Sequence, residues 1–370
     1  MSNIEIKNKA YCFRIYPNKD QIIYFSKVFG CCRFIYNKML SDKIEYYKEN
    51  KKELKVTPAS YKSDFPFLKE ADSLALSNVQ LNLNNAFKKF FKEPHVGFPK
   101  FKSKKISKQS YTTNNQKGTI KLEDGFIKLP KIGLVKIKMH REIPDNYLIK
   151  SATIVKEPSN AYYVSVLFEY ENQVQENNFT DKVLGLDYSM HELYKDSEGN
   201  EPIYPKYYRQ SEKKLARENR KLSKMKKGSN NFAKQKLKLA KIYAKVKNQR
   251  KDFLHKESKR LADNYNVICI ENLNMKAMSQ TLNFGKSVSD NGWGMFTSFL
   301  AYKLKDQGKK LIKIDRFFAS SQTCNVCGYK NVLVKNLAVR EWVCPTCNTI
   351  HDRDMNAAIN IKYEGMKQLA

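Results

Sequence analysis

The sequence predicts a multidomain α+β protein with two different halves. Segments between residues 118 and 170 alternate apolar and polar residues and are separated by turn residues, which predicts a β-rich first half. After residue 182, strand patterns alternate with helical patterns, which is typical of an α/β domain. Two C-x2-C pairs in the second half predict a small metal-binding ribbon inserted there.

The first half is predicted to be a sheet that carries a helical insert. A strand pattern at residues 9–16 is followed by two stretches with helical spacing, at residues 20–50 and 73–92. The strand patterns that follow favour a β-barrel or a curled sheet. The predicted boundaries are 1–18 and 96–178 for the β domain and 19–95 for the helical insert.

The second half contains a strongly basic helical segment. Residues 206–260 hold 21 Lys or Arg and four Asp or Glu, and a polar break at residues 228–231 divides the segment into two long helices. A hairpin that is merely solvated is the plainer interpretation, but lysine on every face favours contact with phosphates. The predicted boundaries are 180–321 and 350–370 for the α/β domain, 206–263 for the basic hairpin and 322–349 for the ribbon.

The charge of the chain points to a polyanionic partner. Lys and Arg number 68 and Asp and Glu number 37, which gives a net charge of +31. A protein this basic usually binds nucleic acid, although a solvated lysine-rich surface is the alternative. We find no apolar run that could cross a membrane and no signal region at the start, so we expect a cytoplasmic protein.

Four cysteines have the spacing of a structural zinc site. Cys324 and Cys327 are separated by 16 residues from Cys344 and Cys347, and each pair can direct two sulfurs at one metal. Four protein ligands leave no open position, so this zinc is expected to be structural; a redox dithiol pair is the alternative. Positive φ angles are expected where each pair ends, at Gly328 and Asn348.

Three acidic residues stand at the ends of apolar elements. Asp187 follows the apolar string VLGL, Glu271 follows VICI, and Asp354 opens the last helical pattern. A carboxylate at the end of a buried strand is costly unless it is paired or holds a metal. If the three converge they are suited to two Mg²⁺ ions, since Mg²⁺ prefers carboxylate oxygens and water. Helix caps or salt-bridge partners are the alternative interpretation.

Several strings identify the chain as similar to the TnpB (OrfB) proteins of bacterial insertion sequences. Two of them, FPKFKSKK and SYTTNN, lie in the first half, and the most specific part of the resemblance is Cys324–Ile361. The resemblance covers nearly the whole chain in the order of the family. The strings of the second half are GLDYS, IENLNM, SSQTCNVCGYKN, REWVCPTC and HDRDMNAAINI.

The resemblance implies a fold, an activity and partners. Proteins of this family are RNA-guided DNA endonucleases related to type V CRISPR effectors. They bind a guide RNA from the transposon end, recognise a short adjacent motif in double-stranded DNA, and cut with one RuvC site. Their catalytic acids match Asp187, Glu271 and Asp354. A β-barrel wedge domain with a helical recognition insert and an RNase H-like RuvC domain are implied, with one chain per complex as the default.

Nucleic-acid contacts are expected at two surfaces and at one further arginine. The basic hairpin is expected to contact the backbone of the guide or the heteroduplex. Asn and Gln side chains can read adenine edges, so motif reading is expected near the insert. Solvent-facing positions are the alternative for the residues of the hairpin and the insert, and anchoring of the ribbon is the alternative for Arg353. The residues are Lys213, Lys214, Arg217, Arg220, Lys221 and Lys224 on the hairpin, Asn78, Gln80, Thr113 and Asn114 near the insert, and Arg353.

Three other functions compete with a guided nuclease. A nuclease-inactive, RNA-guided repressor would use the same surfaces, but the three acids argue against it. A transposase would act on transposon ends without RNA, and a junction resolvase needs neither ribbon nor wedge. The string GLDYSMHELY departs from the GIDLG of many family members, which puts the strand geometry beside Asp187 in doubt.

Overall fold

The computed structural model describes residues 4–173, 181–281 and 285–369. The chain forms two compact units, of which the first is Ile4–Asn172 and the second begins at Gln173. Most of the stretch between the predicted domains, residues 174–180, lies outside the described residues. Within the described ranges, no helix has both the length and the apolar character that crossing a bilayer requires.

The first unit begins with one strand and two long helices. β1 (Ile4–Tyr16) leads into α1 (Lys19–Asn50), and α2 (Ser73–Lys92) follows after two short 3-10 turns. Asn18 and Gln21 cap α1 reciprocally, because the side chain of each accepts a hydrogen bond from the backbone N–H of the other. The two helices predicted from apolar spacing are therefore confirmed.

Seven strands of the first unit form one sheet, and five of its six neighbouring pairs are described as antiparallel. Its order is β2-β6-β7-β1-β5-β4-β3, so β2 and β3 are the two edges. No pairing joins these edges within the described residues, so the predicted closed barrel is not found and the sheet is open. The strands after β1 are β2 (Gln109–Asn114), β3 (Lys121–Glu123), β4 (Phe126–Leu129), β5 (Gly133–Lys138), β6 (Leu148–Lys156) and β7 (Tyr162–Gln173).

The two helices pack against the edge strand β2. Both α1 and α2 lie against β2, and the ring of Tyr111 on β2 contacts the rings of Phe25 and Phe29 on α1 at 6.2 and 5.8 Å. Helices and strands bury their apolar residues in one common core.

The second unit is an α/β domain, as predicted. β10 is parallel to both β8 and β11, β9 is antiparallel to β8, and the sheet order is β11-β10-β8-β9. The elements in chain order are β8 (Val183–Ser189), β9 (Leu193–Asp196), α3 (Tyr207–Ser223), α4 (Asn230–Asn264), β10 (Val267–Glu271), α5 (Met275–Thr281), α6 (Gly285–Asn291), α7 (Trp293–Asp306), β11 (Lys310–Ile314), β12 (Glu341–Val343), β13 (Ile350–Asp352) and α8 (Arg353–Lys367).

Alternate residues of β8 and β10 face opposite sides of this sheet. Leu186 and Ile270 share one apolar cluster with residues of α4 and α7. Val183 and Cys269 belong to a second cluster that includes Ile361 of α8. The strands are therefore buried on both faces, which explains why their sequences are continuously apolar.

The packing of α8 on β8 leaves no space at Gly185. A Cβ atom there would overlap the Ala358 carbonyl oxygen and would lie 2.7 Å from the Lys362 nitrogen, so only glycine allows this approach. At the far end of α8, Gly365 meets Cys269 of β10 in the same way. Two glycines thus bring the helix backbone directly onto the sheet.

The basic hairpin of α3 and α4 encloses one buried acid. The carboxylate of Glu218 accepts hydrogen bonds from Gln235 Nε2 at 2.8 Å and Lys238 Nζ at 3.0 Å, and Arg217 Nε lies 3.3 Å away. The hydrogen bonds from Gln235 and Lys238 lower the pKa of Glu218 to about 2. The carboxylate of Glu218 therefore joins the two helices. The remaining basic residues of the hairpin lie on its outer surface.

We predict that Gly185→Ala destabilises the second unit. The added methyl group overlaps backbone atoms of α8, so the helix must shift, at a cost of about 1–3 kcal/mol or more. Urea unfolding followed by circular dichroism measures the loss. Gly294→Ala, where a Cβ meets nothing within 4 Å, is the matched control. Equal stability of the two variants would contradict the packing argument.

We also predict that Glu218→Gln loosens the hairpin in a pH-dependent way. The folded-state pKa is lowered, so the stability that Glu218 contributes is fully present above the ordinary value of 4.5 and is lost as the pH falls toward about 2. Urea unfolding of wild type and variant across this range tests it. Glu212→Gln, an exposed acid of the same helix paired with Lys286, is the control and should change little.

Candidate functional site

Two of the acids lie on the face of the sheet that α8 covers. Val183 and Gly185 of β8 pack against α8. Side chains alternate between the two faces of a strand, so Asp187, two residues further on, faces α8 as well. Glu271 ends β10 two residues after Cys269, which meets α8, so it also faces this side. Ile270 pairs with Leu186 in the parallel register, so the two acids follow neighbouring positions.

The third acid, Asp354, stands in the first turn of α8. Its neighbour Asp352 serves another purpose, because the Asp352 side chain caps α8 by accepting a hydrogen bond from Met355 N at 2.7 Å. The pKa of Asp187 is raised well above its usual value, first by burial and then by the charges of Glu271 and Asp354. The charges of Glu271 and Asp354 therefore both act on Asp187.

Neighbouring side chains hold two of these acids. Ser320 Oγ donates a 2.6 Å hydrogen bond to Glu271 Oε1, and Arg340 Nη1 donates one of 3.2 Å to Asp354 Oδ2. Burial raises the pKa of Glu271, while the hydrogen bond from Ser320 and the charge of Arg353 oppose that rise. Sequence patterns gave no indication of Ser320 or Arg340, because these residues lie far along the chain from the acids that they contact, Glu271 and Asp354.

The three acids do not form a closed cluster of ligand atoms. Across the described ranges, the four cysteines are the group whose possible ligand atoms all lie within 4.8 Å of one another, so the acidic oxygens are spaced more widely. Two-metal sites place their ions about 4 Å apart, and their ligands need not converge on one point.

The four cysteines form the second cluster and fit a zinc ion. Sulfurs of Cys324 and Cys347 lie 3.6 Å apart, and those of Cys327 and Cys344 lie 3.5 Å apart. Four cysteine sulfurs this close match the ligand set of tetrahedral structural zinc. Positive φ angles, 77° and 56°, occur at the two residues where they were expected, Gly328 and Asn348.

His351 joins the ribbon to the last helix. Its Nε2 lies 3.1 Å from Cys324 Sγ, and its ring packs 4.6 Å from the ring of Trp342. Both residues are buried and pair across the short β12–β13 hairpin. A hydrogen bond from histidine to a cysteine sulfur stabilises the thiolate form that zinc requires. No sequence pattern predicted a role for His351. Its place directly before Asp352, at the start of the last helix, is the feature that could have drawn attention to it.

The basic residues of the hairpin are exposed, as contact with nucleic acid requires. The six residues are Lys213, Lys214, Arg217, Arg220, Lys221 and Lys224.

The four polar residues expected to read a DNA motif are bonded within the first unit. Asn78 Nδ2 donates to the Leu74 carbonyl at 2.9 Å and to Asn114 Oδ1 at 3.3 Å. Gln80 Nε2 donates to a backbone carbonyl at 3.2 Å. Thr113 is buried, and its hydroxyl donates to the Asp72 carboxylate. Asn78 also lines a cleft of about 210 Å³ between α1, α2 and β2.

Three family models match the chain. A model of the OrfB type described as "Probable transposase" matches residues 165–282, and one described as "Cas12f1-like, TNB domain" matches residues 293–361. A "Helix-turn-helix domain" of the OrfB type matches residues 3–52, which in this structure include β1 and the single helix α1.

Two curated relatives match nearly the full chain. The chain is 31% identical to a protein from Streptomyces pristinaespiralis, over 97% of this chain and 89% of that protein. It is 27% identical to InsQ of Escherichia coli K12, over 98% of this chain and 93% of that protein. Both relatives bear the name "Putative RNA-guided DNA endonuclease".

A solved structure has the same fold. The chain superposes on Cas12f1, determined in complex with sgRNA and target DNA, with a TM-score of 0.60 and 16% identity, over 92% of this chain and 83% of that one. The likeness supports a Cas12f1-like, multidomain α+β fold.

We predict that zinc removal unfolds the ribbon but not the α/β core. A chelator should expose Trp342, which is buried in the ribbon, and shift its fluorescence to longer wavelength, while Trp293 stays in the core of the second unit. Cys344→Ser should act in the same way. Cys12→Ser, on β1, is the control and should retain its zinc by elemental analysis. Unchanged emission in the zinc-free protein would contradict a structural role.

Proposed function

Because the chain belongs to the TnpB (OrfB) family, we propose that it is an RNA-guided endonuclease that cleaves double-stranded DNA. A single site built from Asp187, Glu271 and Asp354 carries the reaction. The observation that supports this most directly is that acids from β10 and α8, Glu271 and Asp354, both act by their charge on the buried Asp187 of β8. The names of the two full-length relatives support the same class of activity.

Mg²⁺ is the proposed cofactor of this site. Glu271 and Asp354 raise the pKa of Asp187 by charge repulsion, and a cation between the carboxylates would offset that repulsion. Mg²⁺ suits the position because it prefers carboxylate and water oxygens. When bound, two Mg²⁺ ions supply activation of water and neutralisation of the charge on the leaving oxygen. Asp187, Glu271 and Asp354 hold the ions, and Ser320 orients the carboxylate of Glu271. The four cysteines are proposed to hold one structural zinc.

Arg353 is the proposed contact to the phosphate that is cut. Its charge opposes the rise in the pKa of both Asp187 and Glu271, so it lies beside the acids. Its Nε is buried without a hydrogen-bond partner among the described residues. A guanidinium in this position can donate to a phosphate oxygen and offset charge in the transition state.

We propose the domain boundaries that the sequence patterns predict. The β-rich unit corresponds to a wedge domain with a recognition insert, and the α/β unit to an RNase H-like RuvC domain with its ribbon. The boundaries are 1–18 and 96–178 for the wedge, 19–95 for the insert, 180–321 and 350–370 for the RuvC domain, and 322–349 for the ribbon.

The partners are a guide RNA from the transposon end and a DNA target, with one chain per complex. The exposed basic residues of α3 offer a surface for a phosphate backbone that does not depend on base sequence. Asn78, Gln80 and Asn114 are proposed to set the adjacent motif, whereas Thr113 is buried and bonded to Asp72, so the expectation that it contacts a base is corrected. Asn78 and Asn114 bond to each other, so base contact requires that this pair exchange its hydrogen bond for a base edge.

We predict that cleavage requires the RNA, Mg²⁺ and Asp187. The protein is co-expressed with its native transposon end and given a plasmid library in which one fixed target adjoins randomised flanks. Wild type should cut a subset of the library, while Asp187→Ala should bind the same subset without cutting. Removing a metal-binding carboxylate is expected to lower the rate by about 1000-fold or more, since the metal contribution to catalysis amounts to several kcal/mol.

Asp252→Ala, which removes an exposed acid of α4, is the control and should cut like wild type. Binding without cutting by wild type would favour a repressor instead. Cutting that needs no RNA would favour a transposase or a resolvase.

A further inference from the structure

The hydrogen bond from Ser320 to Glu271 connects the sheet to the base of the ribbon. Glu271 ends β10, while Ser320 lies in the turn between β11 and the first zinc cysteine. Ser320 is buried, and its Oγ lies 2.6 Å from Glu271 Oε1. A short bond from a hydroxyl to a carboxylate is among the stronger hydrogen bonds and sets the rotamer of the acceptor.

The backbone around Ser320 is held by one asparagine of α8. Asn360 is buried, and its Nδ2 donates to the Ser320 carbonyl at 2.8 Å and to the Thr323 carbonyl at 2.6 Å. Both amide hydrogens of Asn360 are therefore engaged with the turn. The helix that carries Asp354 thus also fixes the residue that holds Glu271.

The same turn is tied to the zinc knuckle. Asn356, one helical turn before Asn360, donates to the Thr323 carbonyl at 2.8 Å and accepts from Asn325 N at 3.0 Å. Thr323 and Asn325 flank Cys324, the first zinc cysteine. The backbone on both sides of this cysteine is therefore bonded to α8.

A second bond leads from the ribbon to Asp354. Arg340 lies between the two cysteine pairs, and its Nη1 donates to Asp354 Oδ2 at 3.2 Å. The Arg340 carbonyl also accepts from Arg353 N at 2.8 Å, which anchors the start of α8. Two of the three acids therefore receive a hydrogen bond from the ribbon or its base.

We propose that Ser320 is a positioning residue for Glu271, and that the zinc-loaded ribbon holds Ser320 in place through Asn360. The zinc site thereby sets the geometry of a metal-binding carboxylate on the neighbouring sheet. This inference rests on the proposed function of Glu271 as a Mg²⁺ ligand. Partners that orient metal ligands typically change metal affinity by about 10- to 100-fold when removed, so a substantial effect is expected from a single hydroxyl.

The test compares two neighbouring serines in the full-length, zinc-loaded protein. Calorimetric titration with Mn²⁺ measures metal affinity directly, without nucleic acid. Ser320→Ala should weaken Mn²⁺ binding by about 10-fold or more. Ser321→Ala changes the next residue of the same turn and should match wild type. Ser320→Thr keeps the hydroxyl and should recover most of the affinity. Zinc content and urea unfolding establish that each variant is folded.

A double variant tests the connection to the ribbon. Asn360→Asp keeps the shape of the side chain but removes both donors to the turn, so it should weaken Mn²⁺ binding as Ser320→Ala does. If both substitutions act on Glu271 through one route, the double variant should bind Mn²⁺ with the same affinity as the single variant that binds it less tightly. Effects that multiply would overturn the proposed route from ribbon to Glu271.

Cleavage by the guide RNA complex separates this inference from the proposed function. If wild type cuts DNA and Ser320→Ala has the Mn²⁺ affinity and Mg²⁺ dependence of Ser321→Ala, the positioning role is wrong and the nuclease stands. If Ser320→Ala weakens Mn²⁺ binding but wild type never cuts, the positioning role stands and the nuclease is wrong. A wild-type protein that neither binds Mn²⁺ nor cuts DNA overturns both.

Discussion

The contact between α8 and β8 at Gly185 is the constraint on which the rest of the site depends. Because a helix backbone lies directly on the strand there, the first turn of α8 comes to the end of the strand that carries Asp187. A wider separation would move Asp354 away from the two strand acids. The acids repel one another, so their approach is sustained by packing and not by their own interaction.

In the basic hairpin, by contrast, a buried acid is held by attraction to neighbouring donors. Its single buried acid, Glu218, is enclosed by donors from both helices, while the lysines and arginines of α3 face outward. The net charge of the chain is +31, so these groups repel one another. Phosphates bound on this surface would relieve that repulsion, so binding and folding stability are expected to reinforce each other.

Local patterns in the sequence were sufficient for the helices and for the cysteine ribbon, because apolar spacing and C-x2-C spacing are properties of neighbouring residues. The open sheet was not predictable in this way. Alternation indicates that a segment is a strand, but it does not show which strand pairs with it or that two helices pack against β2. The positions of the three acids could be proposed from their place at strand ends. Their partners Ser320 and Arg340 could not, because tertiary folding alone brings them to Glu271 and Asp354.

The ribbon is inserted between β11 and α8, so the helix that completes the group of acids follows every other element of the site in chain order. During synthesis, Asp187 and Glu271 leave the ribosome well before Asp354. A nascent chain, or a product of interrupted translation that stops before α8, lacks the third acid and the strand contact that positions it. Under the proposed function, an incomplete molecule therefore lacks one of the three acids needed to cut DNA.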